Sequence, residues 1–145
     1  MNIDYDSLKK LLVHIEKTHS DSVVVAGTTG EGSTLSYNEK LNLYKFVKEN
    51  INKKIKVIAC IGNNNTSETI KFVKRANKTN VDGYLIVTPF YNKPSQEGIY
   101  QHFKAIDNVS TKPIIIYNVL SRCGVEANAL TLIKLYHDCN HVVGL

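Results

Sequence analysis

Five short runs of consecutive apolar residues, rich in Val and Ile, recur along the chain, each set off by a longer segment with helical spacing. The runs are residues 23–26, 57–61, 84–88, 114–119 and 142–145. A strand that is apolar on successive rather than alternate positions has to be covered on both faces. Amphipathic segments at 35–50, 66–77, 96–108 and 127–137 supply cover, and another at 5–17 precedes the first run. In that opening segment Leu8, Leu11, Leu12 and Ile15 form one apolar stripe, which marks it as a helix. Two helix starts carry capping patterns: Ser36 with Glu39 three residues on, and Thr66 with Thr69 and the acidic Glu68 in the first turn. The repeat of roughly 30 residues is that of a βαβ unit with a right-handed crossover, so the pattern predicts an α/β fold with a parallel sheet.

A chain of 145 residues is the size of one ordinary domain. No Ser/Gly-rich linker or compositional break divides it, so residues 1–145 are read as a single domain. With 43% hydrophobic and 21% charged residues it fits neither a disordered nor a low-complexity class. No apolar run reaches the roughly 18 to 20 residues of a membrane span, and the opening MNIDYDSLKK lacks the apolar block of a secretory signal. A cytoplasmic chain without a membrane partner is expected. The three cysteines Cys60, Cys123 and Cys139 are too few, and odd in number, for a disulfide framework. Although the net charge is +5, the basic residues sit singly on polar helix positions such as Lys40, Lys45, Lys48, Lys71, Lys74 and Lys78. They read as solvated faces rather than a nucleic-acid stripe.

The unusual residues fall after the strands and not before them. Gly27 to Glu31 follow the first run, Gly62 and three Asn the second, Pro89 to Asn92 the third, and Asn118, Ser121 and Arg122 the fourth, which ends in Tyr117. The opposite ends are plain connectors such as 52–54 and 110–113. Open sheets concentrate ligands at one switch point, whereas a barrel recruits every loop around its rim. Four decorated loops in succession favour a (β/α)8 TIM-barrel type. GTTGE at 27–31 lacks the third glycine of a dinucleotide loop and the Gly-Lys-Ser/Thr ending of a P-loop. Its two hydroxyls and consecutive backbone N–H groups suit a small carboxylate instead, the plainer alternative being a tight turn that caps the next helix. His137, Cys139 and His141 have no further ligands nearby in sequence, so no metal is expected there. Cys60 reads as a small core residue, Cys123 as accessible beside Arg122, and His102 as part of the helix packing around Tyr100 and Phe103.

Three segments in order, GTTGEGSTLS (27–36), VTPFYNKPSQEGIYQHF (87–103) and IIIYNVLSRCG (114–124), resemble the dihydrodipicolinate synthase family, within the wider N-acetylneuraminate lyase superfamily. The resemblance implies a barrel of eight strands, of which this chain would supply about strands two to six, an incomplete ring. It implies a lyase that condenses pyruvate with L-aspartate 4-semialdehyde through a Schiff base, in lysine and diaminopimelate biosynthesis, with no cofactor and as a homo-oligomer, a dimer of dimers. Carried over by position, Thr28 and Thr29 match the pair that holds the pyruvate carboxylate, and Thr28 also matches the hydroxyl linking two tyrosines in a proton relay. Tyr117 matches the tyrosine that shuttles protons, Tyr91 the one that reaches into a neighbouring subunit's site, and Arg122 the arginine that receives the second substrate's carboxylate. A phenol with a pKa of about 10 carries protons only inside such a hydrogen-bonded chain, and a planar guanidinium suits a carboxylate.

The same resemblance places the Schiff-base lysine directly after 141–145, so none of the 16 lysines present occupies its position. Leu120 stands where the family has proline, which predicts a looser loop around Arg122. A regulatory lysine site matches at Asn64 and Glu68, but Tyr37, Lys40 and Phe90 replace its other residues, so weak or absent lysine binding is expected. Another pyruvate-dependent aldolase of the superfamily, and a non-catalytic fragment, stay open as alternatives.

Overall fold

The computed structural model describes residues 3–145; Met1 and Asn2 of the opening decapeptide lie outside the described residues. In chain order the elements are α1 (Tyr5–Lys17), β1 (Ser22–Val25), a 3-10 turn (Gly32–Thr34), α2 (Tyr37–Asn50), β2 (Lys56–Cys60), α3 (Thr66–Ala76), β3 (Gly83–Val87), α4 (Gln96–Asp107), β4 (Ile114–Tyr117), α5 (Leu120–Cys123), α6 (Ala129–Asp138) and β5 (Val142–Gly144). Side-chain caps set several helix starts. Ser36 and Glu39 form the full capping box ahead of α2, worth about 1 kcal/mol. Thr66 is not a cap: Asn65 accepts from the Glu68 amide at 3.1 Å, and Thr66 is the first helical residue. Asn128 accepts from the Thr131 amide, so α6 begins two residues later than its apolar spacing suggests.

All four strand pairings are parallel and the order is β1-β2-β3-β4-β5, the order of the sequence. With no reversal of strand order there is no switch point, and crossovers of one hand put every connecting helix on the same face. The register shows the result. Val57, Ala59, Tyr84, Ile86, Ile114 and Ile116 share the helix-covered face, and none is more than 2% exposed. Their neighbours Val24, Ile58, Leu85, Val87, Ile115 and Tyr117 point the other way and keep access to solvent. This is a sheet wound in one direction with a bare inner face, as in a barrel wall that has not closed.

The core lies between sheet and helices, around Tyr44, Phe72, Tyr84 and Phe103, and burying side chains of this size stabilises by about 2 to 3 kcal/mol each. The two phenols find partners there: Tyr44 donates to the Cys60 carbonyl at 2.7 Å and Tyr84 to Asn77 Oδ1 at 2.9 Å. Burial pushes both hydroxyls well above their ordinary pKa. At the opposite ends of the strands, Asp82 accepts from the Val57 amide and pairs with Lys48, fixing the edge away from the decorated loops. Among the described residues no helix is long and apolar enough to cross a membrane.

Candidate active site at the carboxyl ends of the strands

Parallel pairing brings the loops after β1, β2, β3 and β4 to one edge of the sheet. The first is shaped by glycine. The Gly27 carbonyl accepts from the amides of Gly30 at 3.1 Å and Gly32 at 3.0 Å, which folds 27–32 into a tight arch. A Cβ on Gly32 would lie 1.9 Å from the Ala26 carbonyl oxygen, so only glycine lets the backbone pass. Ala26 and Glu31 adopt positive φ, at 58° and 53°, on either side. Thr28 and Thr29 project from this arch, both exposed, and their hydroxyls have no hydrogen-bond partner among the described residues.

The next three loops are laced together. Asn64 Nδ2 donates to the Phe90 carbonyl at 3.1 Å, and the Tyr91 amide donates to the Cys123 carbonyl at 3.2 Å. Tyr117 is the last residue of β4, in register with Val87 on the bare face, and Thr88 donates its amide to the Tyr117 carbonyl at 3.0 Å. Tyr91 and Lys93 hold positive φ of 73° and 43°, a conformation that costs roughly 1 to 3 kcal/mol per residue without glycine. Tyr91 is 88% exposed, so its ring is held out from the body by a strained but tethered backbone. Residues 120–123 form the short helix α5, which starts at Leu120 and is closed by Gly124 at φ 73°, and Arg122 stands exposed on it.

Asn118, one of the unusual residues after the fourth run but given no role by the sequence, holds this corner. Its Oδ1 accepts from Thr88 Oγ1 at 3.1 Å and from the Ala127 amide at 2.9 Å, while Nδ2 donates to the Ala127 carbonyl at 2.9 Å. One side chain thus closes the loop that carries Arg122 and ties it to the end of β3. An Asn directly after a strand is the only sequence signal for that role.

The predicted site residues therefore divide into two groups. Tyr91, Tyr117 and Arg122 lie on adjacent, hydrogen-bonded loops of β3 and β4. Thr28 and Thr29 share their edge of the sheet but sit on the outer strand, three strand spacings or about 14 Å along the sheet from Tyr117. No hydrogen bond among the described residues joins Thr28, Tyr91 and Tyr117. Asn64 is on the rim, engaged with Phe90, and Glu68 pairs with Lys71 at 2.8 Å.

The cysteines are chemically quiet. Burial raises the thiols of Cys60 and Cys123, and that of Cys139 is pushed up to about 11 by burial and by Asp107. Cys123, expected at the surface, is buried, because α5 turns it inward beneath Arg122. Cys60 is only half-buried: it follows Ala59 along β2 and pairs in register with Leu85, on the bare face. His102 does sit in helix packing, 4% exposed, with Nδ1 2.8 Å from Thr66 Oγ1 and its ring edge-on to Phe103. Burial drops its pKa to about 4. Among the described residues no three His, Cys, Asp or Glu side chains gather as a metal site.

Residues 1–145 match the dihydrodipicolinate synthetase family over their whole length. The chain belongs to that family. It is 44% identical over 144 residues to the 4-hydroxy-tetrahydrodipicolinate synthase of Bacillus subtilis, covering 99% of this chain and 50% of that protein. The structure of the synthase from Methylacidiphilum fumariolicum superposes with a TM-score of 0.94 at 43% identity, covering 99% of this chain and 48% of the other. A chloride-inhibited dihydrodipicolinate synthase from Acinetobacter baumannii, solved in complex with pyruvate, superposes at 0.93 with 42% identity over 99% and 49% of the two chains. The chain spans about half the length of the relatives it matches, and the five-stranded parallel sheet is an incomplete barrel of their fold.

Proposed function

We propose that this chain forms part of the pyruvate-binding and proton-transfer site of a 4-hydroxy-tetrahydrodipicolinate synthase, a lyase joining pyruvate to L-aspartate 4-semialdehyde. The observation that carries the reading is the placement of Tyr91, Tyr117 and Arg122 on neighbouring, tethered loops of one sheet edge, in a chain that matches the family from end to end. In this reading the Thr28 and Thr29 hydroxyls, together with the amides of the glycine arch, hold the keto-acid carboxylate. Tyr117 and Thr28 pass protons to and from the reacting carbon and nitrogen once closure of the ring has brought the two strand ends together. Arg122 receives the carboxylate of the semialdehyde through its planar fork. Tyr91, exposed on strained backbone, is a side chain shaped to work in a second copy's site, which makes a homo-oligomer part of the proposal. The Schiff-base amine comes from outside these 145 residues, since no lysine stands at the edge with these groups in a matching position.

The reading is tested by adding pyruvate to the 15N-labelled chain and following its amides. Shifts confined to 27–32, abolished in Thr28→Val/Thr29→Val, are expected, and borohydride trapping should leave no covalent adduct on this chain. An adduct on any of its own lysines, or shifts spread away from the carboxyl edge, would refute it.

A further inference from the structure

Two cations stand on the laced loops, and the proposed function uses only one of them. Arg122 is exposed on α5, and Lys93 is exposed on the loop after β3. Among the described residues neither has a carboxylate partner, whereas Lys48, Lys56, Lys71 and Lys134 each do. Residues 88–95 and 118–125 contain no acidic side chain. Glu126 comes next in the chain and pairs with neither cation, and Glu97 at the start of α4 is engaged by Lys134 and Gln101.

The backbone directs Lys93 onto the Arg122 loop. Its φ of 43° is a conformation that a residue other than glycine keeps only where the surroundings impose it. The surroundings here are Gly124. Cγ, Cδ and Cε of Lys93 lie 3.8, 3.9 and 3.0 Å from the point that a Cβ on Gly124 would occupy, so the lysine stem is laid along this glycine. Gly124 closes α5 two residues beyond Arg122, and the bond from the Tyr91 amide to the Cys123 carbonyl locks the two backbones together beside it. The stem covers the glycine and leaves the ammonium at the rim.

Two positive groups held on one rim without counter-charge repel each other, and an anion relieves the repulsion. A monocarboxylate satisfies one of them: the guanidinium takes it through two parallel N–H donors, and the ammonium stays unmet. A ligand with two carboxylates meets both, and its second contact is intramolecular once the first has formed. We infer that Lys93 and Arg122 form a two-cation cradle for a small dicarboxylate, which competes at Arg122 with the monocarboxylate second substrate. This deepens the proposed function, resting on its assignment of Arg122 to a carboxylate, and makes Lys93 the residue through which dicarboxylates regulate that site.

The test is titration of the 15N-labelled chain with malonate, succinate and glutarate, which bracket the carboxylate spacing, against butyrate as the monocarboxylate. The amides of 91–93 and 122–124 are expected to respond, with one dicarboxylate binding about fivefold or more tightly than butyrate, the size of one exposed charge pair. Lys93→Met keeps the stem on Gly124 and removes the charge, so it should bring that dicarboxylate down to the level of butyrate; Lys93→Arg should keep the preference. Raising the salt from 0.1 M to 1 M shortens the screening length from about 10 Å to about 3 Å and should erase the preference. Lys93 is exposed, so both variants should melt like the parent chain. No preference for any dicarboxylate in the parent, a preference that survives in Lys93→Met, or responses confined to other amides would each overturn the inference. The pyruvate response at 27–32 is read in the same samples. If it is present while the dicarboxylate preference is absent, this inference alone falls; if it is absent, the proposed function falls with it.

Discussion

Removing the Asn118 side chain tests whether one residue holds the Arg122 loop in place. Asn118→Ala deletes three hydrogen bonds, to Thr88 Oγ1 and to both the amide and the carbonyl of Ala127. At about 1 kcal/mol each, the loss is about 3 kcal/mol. Ala127 is only 3% exposed, so water does not readily replace the lost partners. Thr88→Val is the matched comparison: it keeps the shape of a fully buried residue and removes the hydroxyl that donates to Asn118, a loss of about 1 kcal/mol. Because the two variants share that bond, the double variant should fall short of the sum by about 1 kcal/mol. Urea denaturation gives the energies, and for a chain of this length Asn118→Ala should lower Tm by about 10 °C. Amide exchange across 119–126 should accelerate in Asn118→Ala well beyond the parent. If Asn118→Ala costs no more than Thr88→Val, or leaves that exchange unchanged, the clasp is not what orders the loop.

Three further outcomes are expected. Gly32→Ala drives a Cβ into the Ala26 carbonyl and should destabilise by about 2 kcal/mol while shifting the amides of 27–31; a neutral effect by denaturation would show the arch to be pliable. His102 is held neutral by burial, with a pKa of about 4 against an ordinary 6.5, so its contribution is intact above pH 6.5 and declines as pH falls toward 4, because the unfolded chain takes up the proton first. Unfolding at pH 5 should require about 2 kcal/mol less than at pH 7, and an NMR titration placing the His102 ring near its ordinary pKa would refute this. Free lysine should bind weakly or not at all, since Glu68 is already paired with Lys71, Asn64 with Phe90, and half-buried Lys40 adds a like charge; tight binding by calorimetry would contradict the proposal.

The sequence determined the elements and their order. Consecutive apolar runs and amphipathic spacing placed all five strands and the five longer helices, with α1 at the bounds its stripe marked and the others within two residues, because local periodicity is what burial on one face requires. It also determined the family, through three motifs at the carboxyl ends of the strands. Where it erred, a competing local contact decided. Asn65 outcompeted Thr66 as a cap, and α5 buried Cys123. Only the tertiary structure decided that Tyr91, Tyr117 and Arg122 stand on laced loops while Thr28 and Thr29 sit apart on an outer strand. It alone showed that Asn118 binds the corner and that one face of the sheet is bare. Hydropathy records that a residue is apolar; which neighbour covers it is fixed by strand order and register, through contacts between residues far apart in the chain.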